Sequence, residues 1–95
     1  MPRFIQLANL TETGVKKIDE FPVLLSSAAQ IIVQNGARLI DAYATLGRYD
    51  LVLVIDAPSD SSAAKISALI AAQGNFRAET LSAISIEDFG GSFTR

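Results

Sequence analysis

The spacing of hydrophobic positions changes period several times along this chain, and each change marks an element. From Arg3 to Leu10 apolar residues fall on both sides of a pleat. Phe4, Ile5, Leu7, Ala8 and Leu10 are interrupted only by Gln6 and Asn9, as in a central strand covered on two faces. Thr11 to Gly14 breaks this run, and Val15 to Glu20 reads as a short helical turn. Pro22 then opens a helix to about Asn35, because a proline's missing N–H is harmless in a first turn. Within it Leu24, Leu25, Ala28, Ile31 and Ile32 form one stripe at helical spacing, and Gly36 supplies a left-handed exit.

The period next falls to two. Arg38 to Leu46 alternates, with Ile40, Ala42, Ala44 and Leu46 on one face and Leu39, Asp41, Tyr43 and Thr45 on the other, while Leu51 to Ile55 is aliphatic throughout. These predict an edge strand and a buried strand. Pro58-Ser59-Asp60 announces a second helix, capped by Ser59 or Asp60, with Ala63, Ile66, Leu69 and Ile70 inward and an end at Gly74. Phe76 to Ser85 is the last strand. The order specifies an α+β, ferredoxin-like βαββαβ plan, a four-stranded antiparallel sheet with two helices on one face. The expected organisation is a single domain over residues 1–95, in which 86–95 is a C-terminal tail.

That plan leaves one sheet face open, where an unpartnered domain alternates polar residues. Here both faces of the central strands are apolar, so the chain is expected to oligomerise through the open sheet face, in the manner of a dimeric α+β barrel. The alternative is a tail folded back over the sheet with Phe89 and Phe93. Phe21 to Ala37 also carries no charge, with Ser26, Ser27, Gln30 and Gln34 at the outward positions. This helix is either a solvated polar face or a second contact surface in an assembly larger than a dimer.

Composition removes several chemistries. A net charge of −2 and a pI near 4.9 leave no basic surface for nucleic acid or an anionic membrane. With no cysteine and no histidine there is no thiolate, no disulfide, no usual zinc ligand and no ordinary base near neutral pH, so neither a metal nor a cofactor is expected. Met1-Pro2-Arg3-Phe4 begins no apolar leader, and no stretch reads as a membrane span; the expected location is cytoplasmic.

Chemistry concentrates in Tyr43-Ala44-Thr45-Leu46-Gly47-Arg48-Tyr49-Asp50, a turn between two strands. In a structural reading Gly47 takes a conformation closed to other residues, Asp50 binds turn amides and Tyr49 anchors the hairpin. In a functional reading Gln6, Tyr43, Thr45, Arg48, Tyr49, Asp50, Arg77 and Glu79 converge on a small apolar or acidic ligand held between subunits. An arginine fork suits a carboxylate, and a tyrosine offers a donor and an apolar wall. Arg77 and Glu79, two apart on a strand, point the same way, where an exposed ion pair is worth at most about 1 kcal/mol. No phosphate loop is present, and Leu51 to Ile55 lacks the aromatic residues of an RNA-binding sheet.

Gly47-Arg48-Tyr49-Asp50, preceded by Thr45-Leu46 and followed by an aliphatic strand ending in Ala57-Pro58, resembles the GYD-domain family of small bacterial and archaeal proteins. Leu10-Thr11-Glu12-Thr13-Gly14 and Asn75-Phe76-Arg77-Ala78-Glu79-Thr80-Leu81 are similar to it as well, so the resemblance spans nearly the whole chain. It implies a ferredoxin-like, dimeric α+β-barrel type of fold and speaks to fold more than to activity. Two functional readings follow. One is a homo-oligomeric binding, interaction or sensing module; the other is a cofactor-free isomerase or oxygenase acting on a small aromatic or acidic substrate, an analogy at the level of fold.

Overall fold

The computed structural model describes residues 1–93. Strand β1 (Arg3–Leu10) leads to a short helix α1 (Glu12–Lys16), a 3₁₀ turn (Ile18–Glu20) and the long helix α2 (Phe21–Gln34). Strands β2 (Arg38–Ala44) and β3 (Leu51–Asp56) form a hairpin, followed by α3 (Asp60–Ala72), β4 (Phe76–Ala83) and α4 (Ile86–Gly91). The sheet is antiparallel with order β2-β3-β1-β4, which is the ferredoxin-like arrangement. Two short helices depart from the predicted plan: α1 starts at Glu12, inside the expected break and ahead of the expected turn at Val15 to Glu20, and α4 falls in the expected tail. The first arises because Thr11 accepts from the Gly14 amide and so caps α1; the second falls in the tail, where Ser85 accepts from the Asp88 amide and caps α4. Residues 94 and 95, the end of the expected tail, lie outside the described residues.

One sheet face carries the core. Phe4 and Ala8 of β1 join Leu51, Leu53 and Ile55 of β3 beneath Leu24, Ala28 and Ile32 of α2 and Ala63, Ile66 and Ile70 of α3. Ile32, Ile55 and Ile66 are fully buried, and each such side chain contributes about 1.5–3 kcal/mol through lost water contact. The helical stripe lies where the spacing puts it, with Leu25 and Ile31 at its margin. Leu69, expected inward, is 37% exposed, because Ile66 and Ile70 already fill the line facing the sheet.

The edge strand departs from a simple alternation. A bulge at Ile40 separates the pairs Leu39↔Ile55 and Asp41↔Val54. Leu39 therefore faces the helices, while Asp41 and Tyr43 face the open side, so the predicted grouping of Leu39 with Asp41 and Tyr43 is corrected. β2 also stops at Ala44 instead of Leu46, and β4 at Ala83 instead of Ser85.

The segments that resemble the family at either end of β1 and β4 meet in space. The Thr11 hydroxyl donates to the Gly74 carbonyl, the Thr11 amide donates to the Asn75 carbonyl at 3.0 Å, and buried Gly14 lies beneath Asn75. A methyl group on Gly14 would stand 2.2 Å from the Asn75 carbonyl oxygen, so only glycine lets α1 approach the start of β4 this closely.

Candidate functional site

The pairing of strands fixes what the open face displays. Opposed residues share a side of the sheet, so one row runs Tyr43, Val52, Leu7, Glu79 and the next runs Asp41, Val54, Ile5, Leu81. A third runs Arg38, Asp56, Arg3, Ala83. The centre is thus aliphatic, with Leu7, Ile5, Val52 and Val54 each partly exposed, and its border is charged or polar except at Leu81 and Ala83 on the β4 edge. An apolar middle inside a polar rim is the anatomy of a protein contact surface. The alternative of a tail packed over this face is not what the chain adopts. Phe89 and Phe93 stack edge to face on each other at 5.1 Å and stay 53% and 72% exposed.

At the third row Arg3 grips Asp56 with both ends of its guanidinium, Nε to Oδ1 at 2.9 Å and Nη2 to Oδ2 at 3.2 Å. That hydrogen bonding, backed by the charges of Arg3, the amino terminus and Arg38 against partial desolvation, holds the Asp56 carboxyl below its ordinary value.

The candidate chemistry lies at the opposite end. Gly47 has a φ of 107°, a left-handed conformation that a side chain resists. The turn around it is closed by the Thr45 hydroxyl donating to the Tyr49 carbonyl at 2.6 Å and the Thr45 amide donating to the Asp50 carbonyl at 2.9 Å. Asp50 does not bind turn amides as expected: its Oδ2 accepts from the Leu10 amide at 2.9 Å, while its own amide donates to the Ala8 carbonyl. The reason is that β1 outruns β3, and the unpaired amide at its end offers Asp50 a partner within reach. Tyr49 then spans β1, its hydroxyl donating to Glu79 Oε2 on β4 at 2.9 Å. Glu79 is therefore held by Tyr49, and the expected pairing of Glu79 with Arg77 does not form among the described residues.

Seven of the eight candidate residues, Tyr43, Thr45, Arg48, Tyr49, Asp50, Arg77 and Glu79, gather at this end of the sheet, in the hairpin or on the neighbouring strands. Gln6 does not. It shares the helix side of β1 with Phe4 and Ala8, is 1% exposed, and donates through Nε2 to Ser67 Oγ of α3 at 3.0 Å and Thr80 Oγ1 at 3.5 Å. Ser67 and Thr80 also bond to each other, and Gln6 Oε1 has no partner among the described residues. Sequence reading missed this buried polar trio, though two signals point to it. Period two from Phe4 to Ala8 puts Gln6 with the core, and Ser67 follows Ile66 on the inward line of α3.

What the surface can do is limited by solvent and protons. Tyr43, Arg48, Asp50, Arg77 and Glu79 are exposed, and Tyr49 and Thr45 partly so. The Tyr49 phenol is pushed above its ordinary value, first by its hydrogen bond to Glu79, then by burial and by the Glu79 charge, with Arg48 pulling the other way. A tyrosine so placed keeps its proton and serves as a donor, the reverse of what a general base near neutral pH needs. Among the described residues, no cluster of three or more metal-ligating side chains occurs and no helix is long and apolar enough to cross a membrane.

Fold and surface together define a small ferredoxin-like domain with an uncovered aliphatic sheet face. The chain belongs to the GYD domain family, whose model matches residues 4–91. It is also similar to a protein of Thermus thermophilus named glutamine synthetase and cystathionine beta-lyase binding protein. The two are 33% identical over 89 residues, covering 93% of this chain and 94% of the relative.

Proposed function

We propose that this protein is a noncatalytic interaction module that associates with its own copies through the open sheet face and, as an oligomer, docks onto a metabolic enzyme. The observation that carries this reading is the aliphatic centre formed by Ile5, Leu7, Val52 and Val54, bordered by charged and polar residues except at Leu81 and Ala83. The relative's name supports the second half, since it describes a binding protein for two enzymes.

Residues 1–95 act as one domain in this reading, in the cytoplasm, with the chain's own copies as the first partner. The candidate residues of the hairpin end form the rim of the contact. Arg48 and Arg77 suit a carboxylate of a bound protein or of a small acidic molecule, with Tyr43 and Tyr49 as walls. The uncharged outer side of α2, with Ser26, Gln30 and Gln34, stays free for the larger assembly.

Native mass spectrometry of the purified chain, alone and mixed with glutamine synthetase or cystathionine beta-lyase from its own host, tests the reading. The expected result is an oligomer that forms a complex of fixed stoichiometry with at least one of them. A chain that binds neither while showing steady turnover of a small molecule would overturn it.

A further inference from the structure

Three features of the chain have no partner beyond their own segment among the described residues, and all are apolar or charged groups. The first is α4 and its flanks, where Ile84, Ile86, Phe89 and Phe93 are 53% exposed or more. The second is Leu46, fully exposed at the tip of the β2–β3 hairpin. The third is a set of charges: Glu87 and Asp88 on α4, and Arg48 and Arg77 at the hairpin end, have no ion-pair partner among the described residues.

These features cannot satisfy one another within a single chain. α4 leaves the sheet just past Ala83, opposite Arg3, whereas Arg77 stands opposite Asn9 at the other end of β4. The strand between them spans about 20 Å at ~3.4 Å per residue. The chain measures 52 × 29 × 17 Å, which is elongated for a domain of this size. A second copy brought face to face by a two-fold axis across the strands reverses the strand direction. That symmetry sets the acidic arm of each copy beside the arginine end of the other.

We infer that the arms are exchanged: α4 of one copy lies along the β2–β3 hairpin of its partner, with Phe89 on Leu46 and Glu87 and Asp88 beside Arg48 and Arg77. The inference rests on the open-face association proposed above and adds to it a contact that each copy contributes to the other's candidate site. Its chemistry is complementary on both counts, since aromatic and aliphatic surface leaves water together and the acidic pair meets two unpaired guanidinium groups. Ser85 holds α4 preformed through its cap, so little order has to be acquired on docking.

The chain has no cysteine, which makes the contact directly testable. Two variants, Leu46→Cys and Phe89→Cys, are mixed in equal amounts under mild oxidation. Light scattering of the same mixture reports mass. A disulfide-linked heterodimer formed several-fold more than with a control pair, Leu46→Cys and Gln30→Cys, supports exchange. An oligomeric mass with cross-linking no greater than the control overturns the exchanged arm and leaves open-face association standing. A monomeric mass overturns both.

Discussion

The Tyr49 hydroxyl donates to Glu79 Oε2 at 2.9 Å across the width of β1, tying the hairpin turn to the far edge of the sheet. The bond favours protonated tyrosine beside ionised glutamate, so its contribution is complete below the ordinary tyrosine range near pH 10 and fades as pH rises through the higher value in the folded chain. In a Tyr43→Phe background, where Tyr49 is the one remaining tyrosine, its phenolate absorbance should appear at higher pH than in the unfolded chain. Glu79→Ala should bring it back down. An unchanged titration after Glu79→Ala would show that the bond does not persist in solution.

Asp56 is shifted in the opposite sense. Arg3 holds its carboxyl below the usual range, so the pair stabilises the fold above the unfolded carboxylate value near pH 4 and loses that contribution as pH falls through the lower folded value. Arg3→Ala is expected to move the Asp56 titration, followed by carboxyl NMR shifts, upward toward pH 4. A titration that stays low without Arg3 would assign the shift to Arg38 and the amino terminus instead.

Gly14 and Gly90 give contrasting outcomes for one chemical change. Gly14→Ala forces a methyl group against the backbone of Asn75 and should lower unfolding free energy by about 2 kcal/mol or more. Gly90→Ala, with nothing within 4 Å of the added methyl group among the described residues, should produce no loss. Urea denaturation of both variants decides, and equal stability would refute the close approach of α1 to β4.

The buried trio beneath α3 carries its own test. Gln6→Met removes an oxygen without a partner and leaves Ser67 and Thr80 bonded to each other, so stability should stay within about 1 kcal/mol or rise. Ser67→Ala takes away the short partner of Gln6 Nε2 and should lower stability by about 1–3 kcal/mol. The reverse ranking, by urea denaturation, would mean that the amide is held by groups other than these hydroxyls.

How much of this was written in the sequence differs between fold and site. Periodicity located α2 within a residue at each end, because a five-residue stripe at helical spacing has one side to bury. The capping serine at 59 and the glycine exits at 36 and 74 bounded the rest, since they answer local backbone geometry. The bulge at Ile40 was not legible, because it reflects how β2 fits the twist of β3 and leaves no mark in residue type. The site was half legible. Turn composition pointed to Gly47 and the hairpin, but the partner of Asp50 lies at Leu10 and that of Tyr49 at Glu79, each at least 30 residues away. Such pairs depend on which strands become neighbours. Gln6 lies apart from the other candidates, on the core face of β1, a placement that shows in the sequence only when its neighbours at two-residue spacing are weighed with it.

The aliphatic sheet face is most directly tested by the mass of the chain in solution, read by light scattering across a concentration series for the native sequence and for Leu7→Lys. Lysine at that position stands opposite Glu79 on the partly exposed face and should leave the isolated fold folded, yet it places a charge in the middle of any contact made by the face. A native mass of two chains or more that falls to one folded chain in Leu7→Lys is the expected result. A native chain that holds a single 10.1 kDa mass at every concentration would contradict it.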